Sequence, residues 1–260
     1  MIYIDQLGRK IELLDTPKRI ISLVPSQTEL LVSLGLLDNI VGVTKFCVHP
    51  VSIRNQKTIV GGTKKVNFEK IKKLNPDIIL CNKEENTKEI VEALEDEYPV
   101  HVSDIYSVSE ALEMIRHYGE IFDKKTEADQ LTSSINIQKV SFDDFIKNKP
   151  QKRVAYFIWR KPWMAVGNTT FVDYMLSVNG FINVFGDEDR YPEISEEKLS
   201  KIKDLDMILL SSEPFPFSKK HIKEIKAISP DAKVILVDGE YFSWYGSRLA
   251  DAFSYFKTLH

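Results

Sequence analysis

Apolar residues along this chain recur in two alternating patterns. Short β-branched runs such as Ile20-Ile21-Ser22-Leu23-Val24 predict buried strands, and segments such as Phe68, Ile71 and Leu74 carry the spacing of one helix face. The first fourteen residues come before this alternation. Tyr3 to Leu14 alternates around Leu7-Gly8-Arg9, which predicts a short hairpin that Thr16-Pro17 ends. Pro25 closes the Ile20 run. Ser26, three residues before Glu29 at the head of Leu30, Leu31 and Leu34, predicts a capping box and a helix closed by Gly35. Strands follow at Ile40 to Val43, Asp77 to Cys81 and Pro99 to Val102, with helices around Phe68 to Leu74 and from Thr87 to Leu94. Alternation of this kind is the signature of an open parallel sheet.

From Ser107 to Ile146 no strand run and no proline occurs, and Val108, Leu112, Ile115, Ile121, Leu131 and Ile135 keep near-helical spacing. Two helices are predicted here, the second from about Thr126 to Lys147. At 1.5 Å per residue it would be on the order of 33 Å long. Asn148-Lys149-Pro150 ends it. The alternation then restarts, with strands at Val154 to Trp159, Met207 to Leu210 and Val234 to Val237. Helices are predicted at Thr170 to Val178, Glu196 to Ile202, Ser218 to Ile228 and from about Ser247. The halves repeat: Glu69 stands two residues before Ile71 as Glu197 stands two before Leu199, and an apolar strand follows each. The expected fold is α/β, with two Rossmann-like lobes on parallel sheets, one long linking helix and a ligand cleft between the lobes. The expected divisions are an N-terminal lobe at 1–106, a helical segment at 107–149 and a C-terminal lobe at 150–260.

Composition narrows the function classes. The 260 residues are 43% hydrophobic and 28% charged, with a formal charge of −3 from 35 basic and 38 acidic side chains, so no footprint for nucleic acid appears. No run approaches a membrane span. Cys47 and Cys81 cannot form a disulfide framework or a four-ligand zinc site by themselves. Met1 leads directly into Ile2-Tyr3-Ile4-Asp5, so the chain as written shows no export signal. That leaves a cytoplasmic protein and one whose leader has been removed both open.

Open α/β sheets bind ligands at loops after the carboxyl ends of their strands, and here those loops are aromatic. All three tryptophans, Trp159, Trp163 and Trp244, fall in such loops of the second half, with Phe215, Phe217 and Tyr241. A lone ring is as often core as ligand contact; together they suit a large, flat, partly apolar ligand. Arg160, Lys161 and Arg248 could meet its polar groups, the competing reading being surface cations covering exposed rings. Cys47-Val48-His49 offers a thiolate and an imidazole to a metal. With no second such pair in the chain, a buried structural cysteine beside a loop histidine is the favoured reading. Glu84-Glu85 reads as an acid/base pair or as carboxylates favouring a helix N-terminus. Gly61-Gly62-Thr63-Lys64 lacks the phosphate-loop spacing, and no nucleophile elbow, zinc-protease motif or histidine cluster occurs.

Four stretches resemble a known family: Arg19-Ile20-Ile21-Ser22-Leu23-Val24-Pro25-Ser26-Gln27-Thr28-Glu29, Val41-Gly42-Val43-Thr44, Asn67-Phe68-Glu69-Lys70-Ile71 and Phe242-Ser243-Trp244-Tyr245-Gly246-Ser247-Arg248. The chain is similar to the metal-chelate substrate-binding proteins of ABC importers, which carry cobalamin, siderophores or haem, and most to the cobalamin-binding branch. The resemblance implies a non-enzymatic, monomeric, periplasmic protein. It would capture a corrinoid or other metal chelate without a cofactor of its own and deliver it to a permease. Implied ligand contacts are Pro25, Ser26, Phe46, Trp159, Trp163, Tyr191, Phe215, Tyr241, Trp244 and Arg248. Implied permease-docking carboxylates are Glu69 and Glu197, with Glu196 the substitute under a one-residue shift. Departures are Thr63 where the family carries a tryptophan, the Cys47-Val48-His49 loop and the missing signal. The alternative is a cytoplasmic protein of the same fold that binds or modifies a corrinoid or another metal cofactor. A nucleotide-sugar transferase is disfavoured by the absent phosphate loop.

Overall fold

A computed structural model describes residues 1–260, which form two compact units. One contains residues 1–136 and 245–250, the other residues 137–244 and 251–260.

In the first unit, β1 (Ile2–Ile4) and β2 (Lys10–Glu12) make the antiparallel hairpin. There follow β3 (Ile20–Ser22), α1 (Pro25–Ser33), β4 (Ile40–Thr44), α2 (Ile53–Gln56), β5 (Thr58–Gly61) and α3 (Phe68–Leu74). Next come β6 (Ile78–Asn82), α4 (Lys88–Glu95), β7 (Val100–Ser103) and α5 (Val108–Ile121). The five sheet strands run parallel in the order β5-β4-β3-β6-β7. β3, β6 and β7 are buried throughout, because helices covering both faces leave no solvated side to encode as polar. One face packs Ile21, Leu23, Ile79 and Cys81 against Ile71, Ile90 and Leu94 of α3 and α4.

Helix boundaries follow local chemistry. Asn67 accepts from Lys70 N–H at 2.9 Å and Asn75 leaves α3 at φ 42°, while Ser107 accepts from Glu110 N–H and donates its hydroxyl to the Glu110 carboxylate. One expectation needs correction here, and one strand was not foreseen. The capping box of Ser26 and Glu29 does not form: α1 begins at Pro25, whose fixed φ and missing N–H suit a first helical position, so Ser26 lies inside the first turn. The edge strand β5 had no signal of its own, since Thr58-Ile59-Val60-Gly61 is short and only Val60 is buried.

Helix α6 (Lys125–Ile146) holds 22 residues, and the division between the units falls inside it, at Asn136 and Ile137. The second unit continues with β8 (Lys152–Trp159), β9 (Met164–Ala165), α7 (Phe171–Val178), β10 (Phe181–Asn183), α8 (Glu196–Ser200) and β11 (Met207–Ser211). It ends with α9 (Lys219–Ile228), β12 (Lys233–Val237), α10 (Glu240–Ser243) and α11 (Leu249–Phe256), the last beginning within the 245–250 segment. β10-β8-β11-β12 are parallel and β9 adds antiparallel to β8. β11 is buried throughout and β8 over Val154 to Phe157, whereas β9 and β10 are two and three residues long, too short to show a period. No helix is long and apolar enough to cross a membrane.

The hairpin is fastened to the first sheet by Asp5, whose carboxylate accepts from Leu7, Arg9 and Val102 N–H and pairs with the Arg9 guanidinium. Beside it His101, fully buried, lies 3.4 Å from His117 between ring nitrogens. Burial, then the neighbouring imidazole, pushes His101 well below the ordinary histidine range, Arg9 adding to the effect and Asp5 opposing it. Burial also lowers His117, against Glu120, Asp5 and Glu113. The unfolded chain therefore binds protons at these two imidazoles that the folded chain refuses, so their contribution to stability is fully present above about pH 6.5 and is lost as pH falls below it. Denaturant unfolding between pH 7 and 5 should show a slope of up to about 1.4 kcal/mol per pH unit per histidine, and His101→Phe should reduce it.

Candidate functional site

In a doubly wound sheet the loops splay apart where strand order reverses, which is between β3 and β6 in the first unit. The carboxyl ends there lead into Pro25, Ser26 and Gln27 on one side and Asn82 to Asn86 on the other. Gln27, fully buried, donates through Nε2 to Ser103 Oγ at 2.6 Å and accepts from Tyr118 Oη at 2.9 Å. Asn82 donates to Ser103 and accepts from the N–H groups of Glu84 and Glu85, fixing the loop. Asn86 returns to Asn82 N–H and donates to Thr63 O. Tyr245, buried on the same unit, faces Ser103, Ser26 and Gln27, and burial followed by the charge of Glu85 raises its phenol. Burial raises the Glu85 carboxyl as well, with Lys64 and Thr63 opposing and Glu84 adding.

The other residues expected to be functional in this unit have mixed surroundings. Phe46 stands 49% exposed after β4, under the Lys45 ammonium at 5.0 Å from its centroid. Arg248 makes a bidentate pair with Glu29, Nη2 to Oε1 at 2.6 Å and Nε to Oε2 at 3.1 Å, which fastens segment 245–250 to α1. Cys47 is fully buried with its thiol 3.1 Å from the Thr28 hydroxyl and 3.3 Å from that of Thr44; burial raises its pKa. Those are the surroundings of a packed thiol. His49 is half-buried two residues on, and no group of three or more His, Cys, Asp or Glu side chains is placed to hold a metal ion. Glu69 is exposed in the first turn of α3, two residues after its cap. An open cavity of about 650 Å³ adjoins the carboxyl ends of β4 and β5, between Lys45-Phe46 and the Gly61 to Lys70 stretch.

In the second unit the order reverses between β8 and β11. Trp159, at the end of β8 and 40% exposed, meets Phe215 edge-on at 5.7 Å, and Phe215 in turn meets Phe217 at 4.8 Å. Trp163 does not join this surface: it is 4% exposed, stacked on Phe217 and covered by Arg160 at 4.2 Å. The short β9 turns the chain back after Lys161-Pro162 and carries its ring into the core. Trp244 is also buried, its Nε1 donating to Glu213 Oε1 at 2.9 Å, with Ser243 donating to the same oxygen at 2.5 Å. Tyr241 stacks on Tyr255 at 4.6 Å, and half-buried Tyr191 lies beside Arg190. Glu197 is exposed in the first turn of α8, two residues after the Ser195 cap, and pairs with Lys201. Sequence reasoning missed Gln27, Asn82, Asn86, Ser103, Tyr118 and Glu213. Asn82, directly after the apolar run of β6, was the one with a visible signal.

These geometries match a known family: the periplasmic binding protein profile fits residues 20–229. The chain belongs to the periplasmic binding protein family. An ABC transporter substrate-binding lipoprotein of Bacillus subtilis is 28% identical over 206 residues, 76% of this chain and 65% of the lipoprotein. The chain thus spans less than two thirds of that relative. A vitamin B12-binding protein of Pectobacterium carotovorum is 23% identical over 237 residues, 90% of this chain and 84% of that one. A periplasmic heme-binding protein from Pseudomonas aeruginosa superposes with a TM-score of 0.82 at 20% identity over 94% of this chain and 92% of that one, and so shares its fold.

Within this member of the family, the Arg248–Glu29 pair is partly shielded, with side chains 13% and 22% exposed. Arg248→Met should cost about 2 kcal/mol in denaturant unfolding, and Glu29→Gln in the same chain should recover part of it, because the stranded carboxylate is then neutral.

Proposed function

We propose that this protein is the substrate-binding component of an ABC importer, capturing a corrinoid or another metal chelate and delivering it to a permease without chemical change. Family membership supports the transport role, as the family consists of substrate-binding transport proteins. The observation that carries the ligand class is the surface formed at the carboxyl end of β8 by exposed Trp159 and the half-buried Phe215 it meets edge-on, an apolar pair suited to one face of a large planar ligand. Pro25, Ser26, Phe46, Tyr191, Tyr241, Trp244 and Arg248 complete the proposed contacts, the last two by holding neighbouring loops as much as by touching ligand. The protein acts as a monomer outside the cytoplasmic membrane. The alternative, a cytoplasmic cofactor-modifying protein, is not favoured by the family relationship.

Glu69 and Glu197 are the proposed docking carboxylates. Each occupies the second helical position of a short helix anchored by one buried aliphatic residue, Ile71 or Leu199, so each carboxylate is presented to solvent on a fixed support. Exposed charges of this kind set partner choice and encounter rate more than affinity.

Isothermal titration with cobalamin, cobinamide, haem and a ferric siderophore should give one-to-one binding to at least one of them, weakened about tenfold by Trp159→Ala. Absence of binding to all four would overturn the reading. Glu69→Gln with Glu197→Gln should leave that affinity within about twofold while lowering ligand-stimulated ATP hydrolysis by the cognate importer about tenfold.

A further inference from the structure

The cavity beside β4 and β5 has a local charge opposite to that of the whole chain. Lys45, Lys64, Lys65 and Lys70 border it and no carboxylate lines it, although the protein carries a formal charge of −3. Its remaining surface is largely apolar, from Phe46, Ile59, Val60 and Val66. The Gly61-Gly62 step lets the 65–66 turn and the Phe46 ring pack closely at its edge. Gly61 sits at φ +140°, and a Cβ there would come within 2.5 Å of Lys65 O; one on Gly62 would press on the Phe46 ring at 3.1 Å.

Part of the positive charge is held in place before any ligand arrives. Lys64 Nζ donates to Glu84 O at 2.5 Å and Lys70 Nζ to Ile59 O at 3.0 Å, and the Lys45 ammonium lies over Phe46. The nearby Glu85 carboxyl feels Lys64 among its neighbours, while the cavity's own lining carries four lysines and no carboxylate. Ammonium groups gathered around one concave surface repel one another, and an anion entering among them relieves that repulsion. Lysines act as separate point charges, so they match several dispersed anionic oxygens better than a single planar carboxylate.

We propose that this cavity is an anion-selecting subsite, which receives an apolar-bodied anionic arm of the captured chelate and biases the protein toward anionic iron chelates over neutral corrinoids. The proposal rests on the binding-protein reading above and narrows its substrate class. An aryl body would lie on Phe46 and the aliphatic wall, with its charged oxygens at the lysine rim.

The test is titration of the whole protein with ferric tris(catecholate), haem, neutral cyanocobalamin and ferrioxamine, a hydroxamate chelate without anionic charge, each at low and high salt. The expected result is binding of an anionic chelate about tenfold or more tighter than the uncharged or cationic ones at low salt, with the margin narrowing at high salt. Exposed Lys45 and Lys65 are then replaced together, Lys45→Gln with Lys65→Gln. The anionic chelate should weaken about tenfold and any chelate without negative charge should change by no more than about twofold. A preference absent from the wild type, or one that survives both salt and the double substitution, overturns the subsite and leaves the binding-protein reading standing. Failure of every chelate to bind removes both.

Discussion

The buried amide of Gln27 is the interaction on which the loops at the first unit's strand ends depend. A fully buried amide without partners would cost several kilocalories per mole, yet here its nitrogen meets Ser103 and its oxygen meets Tyr118. Those contacts join the start of α1, the end of β7 and the middle of α5. Asn82 extends the network to the β6 loop, and Asn86 extends it to Thr63. Gln27, Asn82, Asn86, Ser103 and Tyr118 each meet another polar group of this network, so the loops at the strand ends are held in position by it.

The second unit reaches the same end with different chemistry. Its reversal point is lined by rings, and its principal polar anchor is Glu213, which takes both the Trp244 indole and the Ser243 hydroxyl. One of its tryptophans, Trp159, is left at the surface, while Trp163 and Trp244 are spent on packing the loops beneath. The first unit's strand-end edge is therefore polar and hydrogen-bonded, and the second unit's is apolar and aromatic. The lysine-bordered cavity adds charge to the first of these.

Much of the fold was legible because parallel strands covered on both faces must be continuous apolar runs, and β3, β6, β8 and β11 are such runs. Helix limits were legible where a cap is chemically explicit, as at Asn67, Thr87 and Thr170. The pattern failed at β5, β9 and β10, which are too short or too exposed for a period to emerge, and at Ser26, where the adjoining proline took the first helical position. The aromatic loops were recognisable from composition, but the exposure of each ring was not.

What the sequence determined alone is therefore the alternation of strands and helices, the family signature and the equivalent placement of Glu69 and Glu197, since these depend on local periodicity and spacing. Tertiary structure decided which residues face outward and which serve one another. Arg248 and Glu29 are 219 positions apart and Gln27 and Tyr118 are 91 apart, and nothing local marks either pair. The same holds for Trp163 and Trp244: their burial is set by what the remainder of the chain packs around them, and no spacing along the sequence encodes that.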